Sequence, residues 1–235
     1  MASPFQEAYQ KLNPLQKKVV DTIDGPMMVI AGPGTGKTQV LTVRIANILK
    51  QTDTSPGSIL ALTFTESGAH TMRQRLIQYL GTDAYKVRIE TFHAFCDDVI
   101  RNFPEYFPLP LHSQPLSDIE KFQAFEQLLQ TLPLTSLKTI NSPFHYLKPV
   151  MKAISDLKRE GISVARYQQL VKEEEELFQS EKNELKKTAL TKREKELAKM
   201  KEIGVLFQQY QELLTQQKRY DYDDMICFVV EAFQQ

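Results

Sequence analysis

The sequence has few of the residues that mark disulfide frameworks, zinc sites or membrane segments. Its two cysteines, Cys96 and Cys227, stand in dissimilar surroundings without a CxxC or Cys/His cluster, which indicates neither a disulfide framework nor a zinc site. Its apolar runs are too short for a membrane span, and the start MASPFQEAYQ lacks the basic and apolar regions of a signal peptide. The sequence therefore predicts a soluble, cytoplasmic protein without a membrane partner.

An excess of charge of one sign is also missing. The 29 basic and 29 acidic residues cancel, so contact with a polyanion has to be local rather than driven by a global positive field. Neutrality argues against DNA binding by charge alone and leaves a local site open. The 235 residues, 42% of them hydrophobic, are enough for one full core and a smaller second one.

Strand and helix patterns alternate through the first hundred residues. The apolar runs MMVIA, SILALTF and KVRIETF predict strands, and TGKTQVLTVRIANILK, GAHTMRQRLIQYL and HAFCDDVIRNF predict the helices that follow them. Three such units favour a parallel sheet covered by helices, which is an α/β fold. After about Pro104 the pattern becomes mainly helical, and the Glu/Lys-rich region from Tyr167 to Tyr210 predicts one long solvated helix or a helical hairpin.

Residues 31–38 read AGPGTGKT and match the phosphate-binding pattern GxxxxGK[ST]. The glycines allow a tight curl in which successive N–H groups point at phosphate oxygens, at the start of a helix whose dipole favours anions. We expect Lys37 to reach the β- and γ-phosphates and Thr38 to offer its hydroxyl to Mg²⁺. These two are the predicted catalytic residues, and Thr38 is the predicted metal ligand. The motif alone does not separate a kinase from a GTPase or a motor.

Four segments in order resemble the superfamily 1 DNA helicases of the UvrD/Rep/PcrA type. LNPLQKKVV resembles the Q motif, in which Gln16 would read the adenine edge. LALTFTESGAHTMRQRL resembles motif Ia and IETFHAF motif Ib, which line the single-stranded DNA path, and YDYDDMI resembles the stretch before the Walker B strand. The resemblance covers nearly the whole chain. It implies ATP and Mg²⁺ as cofactors, and single-stranded DNA and duplex junctions as partners.

The resemblance also implies an architecture, namely a RecA-like P-loop domain with a parallel sheet (domain 1A), interrupted by an all-helical insertion (domain 1B). Residues 1–107 and 219–235 would form the RecA-like ATP-binding domain, incomplete at its C-terminus, and residues 108–218 the insertion with its long charged arm. The family's Walker B carboxylates and its arginine fingers lie beyond this sequence. We therefore expect this chain alone to be inactive, and its parent to couple ATP hydrolysis to unwinding of duplex DNA in repair or recombination.

The acidic stretch near the end of the chain needs a separate interpretation. Asp221, Asp223 and Asp224 do not follow an apolar strand, as a Walker B pair should. We expect them to be the N-terminal residues of a helix, where the dipole favours negative charge.

Two sets of site residues follow from these motifs. The predicted nucleotide site consists of Gln16, Gly32, Pro33, Gly34, Thr35, Gly36, Lys37, Thr38 and Gln39. The predicted DNA path consists of Thr63, Phe64, Thr65, Arg73, Thr91 and His93. An aromatic ring at the C-terminal end of a strand can stack on any base, although Phe64 could instead end a core strand and His93 could cap a helix. Arg73 is preferred over Arg75 on the same helix, although either could be an ordinary surface charge.

The sequence departs from the family at two places. Gln39 stands where an arginine is common, and it cannot make the same cation–π contact with adenine. Glu66-Ser67-Gly68 stands where the family has Asn-Lys-Ala, so a negative charge replaces a positive one near the expected DNA path.

Two other functions remain open at this point. One is a non-motor P-loop kinase whose helical insertion serves as a lid, which competition by single-stranded DNA would separate from a helicase. The other is a helicase-like nucleotide-binding adaptor without turnover. An apolar strand ending in Asp-Glu after Gln235 would exclude the adaptor.

Overall fold

The computed structural model describes residues 2–107, 109, 113–138, 144–182 and 186–234. The chain divides into two compact units, Met1–Phe95 and Cys96–Gln235. This division by contacts differs from the predicted domain boundaries at 107 and 219, and the domain assignment stays a prediction. Residue 108, where the insertion is predicted to begin, lies outside the described residues, as do residues 183–185 within the predicted arm.

Parallel strands and helices build the first unit, as the α/β prediction requires. Its elements are α1 (Pro4–Gln10), α2 (Pro14–Asp21), α3 (Lys37–Gln51), β1 (Leu60–Thr63), α4 (Glu66–Leu80), β2 (Arg88–Thr91) and the beginning of α5 (Phe92–Asn102). Strands β1 and β2 pair in parallel, with Leu60 opposite Arg88 and Thr63 opposite Thr91. Short 3₁₀ turns at Pro56–Ser58 and Gly81–Tyr85 precede the two strands.

Helices α3 and α4 pack against each other, and α4 also packs on both strands. Two buried sides of α3 account for its packing, because Val40 and Val43 pack with Val20 of α2, and Ile45 and Ala46 belong to the cluster that contains the α4 residues. Helix α4 contributes Met72 and Leu76 to the same side of the unit, where both are almost completely buried. The predicted helices α3, α4 and α5 and the strands β1 and β2 are thus confirmed.

The prediction of a strand at MMVIA is wrong for this structure. Residues 27–31 form no strand, and Met28 and Ile30 are 85% and 89% exposed. A strand forms only where a neighbour completes its hydrogen-bond ladder, and within the described residues β1 pairs with β2 alone. Without a pairing partner, this apolar segment has no regular secondary structure and is largely exposed.

The second unit is mainly helical. It contains the end of α5, a 3₁₀ turn at Pro104–Tyr106, and then β3 (Gln114–Pro115), α6 (Asp118–Thr131), α7 (Leu147–Arg159), α8 (Val164–Glu181), α9 (Lys187–Gln216), β4 (Arg219–Tyr220) and α10 (Tyr222–Ala232). Strands β3 and β4 pair in parallel over two residues, with Gln114 opposite Arg219. Throughout the described ranges, no helix has the length and apolar character needed to cross a membrane.

The Glu/Lys-rich region forms two packed helices, α8 and α9, rather than one. These helices are more than a solvated arm, because Phe178, Phe207 and Tyr210 belong to the core of the second unit. Phe125 of α6 lies against Tyr210, with the ring centroids 4.3 Å apart. The charged residues of α8 and α9 lie outside this core, where exposed pairs such as Lys192 with Glu196 join successive turns.

The acidic stretch begins α10, as predicted. Asp221 is the N-cap residue, and its carboxylate accepts a hydrogen bond from the Asp224 backbone N–H at 2.9 Å. The Asp224 carboxylate accepts in return from the Asp221 backbone N–H at 3.2 Å, which completes a capping box. This stretch is therefore a helix start, as its position outside an apolar strand indicates.

The same carboxylates form an ion-pair cluster that is buried except at the half-buried Lys121 and the exposed Arg159. We define this buried ion-pair cluster as Lys121, Lys158, Arg159, Asp221, Asp223 and Asp224. Lys158 Nζ lies 2.9 Å from Asp221 and 2.8 Å from Asp224, and Lys121 Nζ lies 3.0 Å from Asp221. Burial alone would raise the pKa of Asp221, but the two ammonium groups outweigh it and lower that pKa. The three cations match the three carboxylates, so the cluster is neutral as a whole.

Candidate functional site

The glycine-rich loop enters α3 in a conformation that favours glycine. Gly34 and Gly36 have φ angles of 72° and 80°, in the left-handed region. Gly36 is the N-cap residue of α3, and no described side chain caps this end of the helix. The neighbouring helices differ, since Asn13 caps α2 and Thr65 caps α4. The first backbone N–H groups of α3 therefore lack the side-chain acceptor that the other two helices have.

Lys37 folds back over this loop. Its ammonium donates to the carbonyl oxygen of Gly32 at 2.7 Å and to that of Ala31 at 3.3 Å. The Thr35 hydroxyl donates to the same Gly32 carbonyl at 2.8 Å. The positive charge is thereby held beside the uncapped helix start, where an anion is favoured.

Gln16 connects α2 to the loop. Its backbone N–H and side-chain oxygen form a capping box with Asn13, with both hydrogen bonds at 2.9 Å. Its side-chain amide nitrogen donates to the carbonyl oxygen of Thr35 at 3.1 Å. The structure thus brings Gln16 to the predicted phosphate loop, from which it is 19 residues distant in sequence.

A cleft of about 620 Å³ lies beside the loop within the first unit. It is lined by Asn13, Leu15, Gln16, Val19, Met27, Val29, Ile30, Ala31, Gly32, Thr35, Lys37, Val40, Leu41 and Arg44. Thr38 is exposed and Gln39 is half-buried in the first turn of α3. Across the described residues, no group of three or more His, Cys, Asp or Glu side chains is arranged for a metal ion. The role of Thr38 as a ligand of Mg²⁺ stays a prediction.

Five of the six predicted DNA residues, all except Arg73, lie at or just after the C-terminal ends of β1 and β2. Because Thr63 pairs with Thr91, the residues that follow them, Phe64 and Phe92, are also neighbours. Their ring centroids lie 5.2 Å apart with the planes tilted by 48°. Phe64 is 90% exposed, so the alternative that it ends a core strand is wrong. The structure thus presents an aromatic ring to solvent, supported by a second ring.

Three threonines in this region hold the local turns. The Thr63 hydroxyl donates to the Thr65 carbonyl at 2.9 Å, and the Thr65 hydroxyl accepts from the Gly68 N–H at 3.0 Å as the cap of α4. The Thr91 hydroxyl accepts from the Ala94 N–H at 3.2 Å at the start of α5. His93 is exposed in the first turn of α5, while the capping contact there belongs to Thr91. These hydroxyls fix the turns that carry the aromatic pair.

Arg73 has a structural role that the sequence did not predict. Its guanidinium donates to the carbonyl oxygens of Ala84, Val87 and Ile89 at 3.2–3.3 Å. These bonds connect α4 to the backbone that leads into β2. The DNA contact of Arg73 stays a prediction, but its side chain already has three acceptors within the first unit.

Phe92 is a candidate site residue that the sequence analysis missed, although it lies between the predicted Thr91 and His93. The signal was present in the sequence, because TFT and TFH each place a phenylalanine directly after a strand threonine. The carboxyl ends of parallel strands meet at one edge of a sheet, so the two rings were bound to be close.

Comparison with known proteins gives consistent results. The family model described as UvrD/REP helicase N-terminal domain matches residues 12–235. The ATP-dependent DNA helicase PcrA of Staphylococcus aureus (strain Mu50) is 27% identical over 223 residues, which are 95% of this chain and 26% of that protein. PcrA of Staphylococcus epidermidis (strain ATCC 12228) is 26% identical over 225 residues, covering 96% of this chain and 27% of that protein.

The chain thus spans about a quarter of the length of the curated relatives it matches. These matches confirm the family resemblance inferred from LNPLQKKVV, LALTFTESGAHTMRQRL, IETFHAF and YDYDDMI. Since the family match extends over most of the sequence, this chain belongs to the UvrD/REP helicase N-terminal domain family.

Proposed function

We propose that this chain is the ATP-binding and single-stranded-DNA-binding part of an ATP-dependent DNA helicase. The observation that carries the proposal is the start of α3, where an uncapped helix end, two glycines with positive φ and the Lys37 ammonium meet beside a cleft. Each of these features favours a bound phosphate chain. The relatives named above are ATP-dependent DNA helicases, which supports ATP as the nucleotide.

The residues of the loop fit ATP and Mg²⁺. The N–H groups of residues 34–38 would donate to phosphate oxygens, and Lys37 would exchange its Gly32 carbonyl for the β- and γ-phosphates. The Thr38 hydroxyl would bind Mg²⁺, which neutralises charge on the phosphates when it is bound. Gln16 would bind the adenine edge. Its hydrogen bond to the Thr35 carbonyl would hold the loop in place against α2.

The DNA-binding proposal rests on the exposed aromatic pair. Phe64 would stack on a base, with Phe92 supporting its ring from one side. Stacking does not depend on base identity, because every base presents a π-face. Thr63, Thr65, Thr91 and His93 end or follow the same two strands, and they would contact the sugar–phosphate backbone. The site would therefore bind single strands without sequence preference.

The proposed architecture is a RecA-like domain interrupted by a helical insertion over residues 108–218. The pairing of Gln114 with Arg219 supports it, because an inserted segment has to begin and end at neighbouring points. One hydrophobic cluster of the second unit, whose buried members run from Leu116 to Leu214, lies within the proposed insertion and is consistent with it. In the full-length protein, ATP binding and hydrolysis would drive travel along single-stranded DNA and separation of the duplex.

Calorimetry with a nonhydrolysable ATP analogue and Mg²⁺ tests the nucleotide site. We expect the chain to bind the analogue and Lys37→Ala to weaken binding at least about tenfold, because the phosphates lose the ammonium group held at the loop. Lys11→Ala is the matched control, since Lys11 is exposed in the same unit outside the cleft. Equal affinities for the Lys37 and Lys11 variants would refute the phosphate-loop assignment.

Fluorescence anisotropy with labelled oligonucleotides tests the DNA site. We expect Phe64→Ala to cost about 1–3 kcal/mol of single-stranded DNA binding, with little dependence on base identity. Tyr85→Ala is the control, because Tyr85 is another exposed aromatic residue of the first unit, 66% accessible. If an abasic oligonucleotide binds as tightly as a normal one, or both variants behave alike, Phe64 does not stack on bases.

A further inference from the structure

Glu66 places a negative charge at the centre of the proposed DNA surface. It is the first residue of α4, it is exposed, and it follows Phe64 by two positions. Its carboxylate oxygen accepts a hydrogen bond from the Thr91 hydroxyl at 3.1 Å. One acidic side chain thus connects the turn after β1 to the turn after β2, which are the two turns that carry the predicted DNA contacts.

The Thr91 hydroxyl has no further hydrogen to offer. A hydroxyl carries one donor, and that of Thr91 points at Glu66 while its oxygen accepts from the Ala94 N–H at 3.2 Å. Thr91 is also buried, with 6% of its surface exposed. A DNA phosphate can therefore take the Thr91 hydrogen bond only after the Glu66 carboxylate has left it.

The carboxylate also stands where a phosphate would be favoured electrostatically. The first turn of a helix attracts anions, and Glu66 fills that position at the start of α4. Carboxylate and phosphate oxygens are both anionic acceptors, so they compete for the same donors. A strand whose base stacks on Phe64 has to bring its backbone close to this charge, because Phe64 and Glu66 belong to one turn.

We infer that Glu66 is an affinity-determining residue of the DNA site, which occupies the Thr91 hydroxyl and the start of α4 in place of a backbone phosphate. This inference rests on the proposed single-stranded DNA binding. Its consequence is that the wild-type chain binds DNA more weakly than its aromatic pair and hydroxyls would allow.

The direct test is the affinity of the chain for a mixed-sequence single-stranded oligonucleotide at low ionic strength. Glu66→Gln removes the charge and keeps a side chain of the same size, and we expect it to tighten binding about fivefold, with the gain shrinking as salt is added. Asp53→Asn is the matched control, because it removes one charge from an exposed position of the same unit. We expect the control to change affinity less than twofold.

A double-mutant cycle tests the competition for Thr91 itself. We expect Thr91→Val to weaken DNA binding by a larger factor in the Glu66→Ala background than in the wild type, because only there does the hydroxyl face the phosphate. Circular dichroism melting identifies any loss of fold caused by the missing cap of α5. In the Glu66→Ala background, Thr91→Ser keeps the hydroxyl and should therefore bind DNA as tightly as the variant with Thr91 intact. Equal factors in both backgrounds would overturn the competition.

The outcomes separate this inference from the function on which it rests. If the wild type binds DNA in a Phe64-dependent way and Glu66→Gln matches Asp53→Asn, the role of Glu66 is wrong and the DNA site stands. If neither the wild type nor the Glu66 variants bind DNA, the proposed DNA site is wrong and this inference falls with it.

Discussion

The starts of α3 and α10 are built in opposite ways. Helix α3 begins at Gly36 without a side-chain cap, and the loop residues 32–38 before and within its first turn are all exposed. Helix α10 has Asp221 as its N-cap residue, which is 1% exposed and pairs with the buried Lys158 and the half-buried Lys121. One helix start leaves its donors open, whereas the other satisfies them within the chain.

This difference separates a binding site from a scaffold. A helix N-terminus attracts an anion only while its N–H groups and the nearby cation are not already paired with a carboxylate of the protein. At α3 the cation, Lys37, holds only carbonyl oxygens, which a phosphate can replace. At α10 the cations already hold carboxylates, so the charges stabilise the second unit and are closed to a ligand.

The largest effect is expected from breaking the closed helix start. Asp221→Ala removes the α10 cap and leaves Lys158 and Lys121 without one of their carboxylates, which should cost about 3–5 kcal/mol of unfolding free energy. Urea denaturation followed by circular dichroism measures it. Asp118→Ala is the control, since Asp118 lies exposed in the first turn of α6, and it should cost less than about 1 kcal/mol. Similar losses in the two variants would show that the buried cluster does not stabilise the fold.

Acid should weaken the closed start of α10, because its carboxylates become protonated. The pKa values of Asp221 and Asp223 are lowered in the folded chain from the ordinary 3.8, because nearby cations and hydrogen bonds outweigh burial. Their stabilising contribution is therefore complete well above pH 3.8 and is lost as the pH falls through and below that value. Asp224 has the opposite effect on stability, because burial raises its pKa in the folded chain. The folded chain therefore binds this proton at a higher pH than the unfolded chain does.

We expect the two lowered groups to prevail, so that the second unit loses on the order of 2 kcal/mol as the pH falls from about 5 to about 2. The urea midpoint measured across this range tests the expectation. The dependence should be shallower in Asp221→Asn, which keeps an acceptor for the cap and loses the titrating group. An unchanged slope in that variant would assign the acid sensitivity to other carboxylates.

A smaller effect is expected at the open helix start, where the conformation depends on glycine. Gly36→Ala forces a Cβ into a backbone with φ of 80° and should cost about 1–2 kcal/mol of stability without any ligand. Gly32→Ala is the matched control in the same loop, because its Cβ would meet only Thr35 Cγ2 at an ordinary 3.8 Å. Thermal melting compares them, and equal melting temperatures would mean that the loop does not hold its left-handed residues in solution.

Much of the first unit could be predicted because its signals are local. The apolar period of α3 and the turn residues before β1 and β2 depend on neighbours in sequence, and these elements form where expected. The strand at MMVIA could not be predicted from periodicity, because a strand exists only with a pairing partner. Its apolar residues remain exposed beside the cleft, where Met27, Val29 and Ile30 form part of the lining.

The buried ion-pair cluster shows a second limit. Lys158 lies in the segment PVMKAISDLKRE, whose pattern predicts a lysine on a solvated helix face. In the structure it is only 4% exposed. Its carboxylate partners are more than 60 residues away, as the separation of 63 between Lys158 and Asp221 shows. Tertiary pairing of this kind leaves no local signal. Arg73 illustrates the same point, since its backbone acceptors lie 11–16 residues further along.

The most direct test of the contrast is an NMR titration of the backbone amides with a nonhydrolysable ATP analogue and Mg²⁺. We predict large shifts for the N–H groups of residues 34–38 at the open start of α3, and none for those of Tyr222, Asp223 and Asp224 at the closed start of α10. Adding the analogue to Lys37→Ala should leave the loop signals in place at the same concentration. Unshifted loop amides in the wild type, or equal shifts at the two helix starts, would contradict the proposal that the uncapped start of α3 binds the phosphates of ATP.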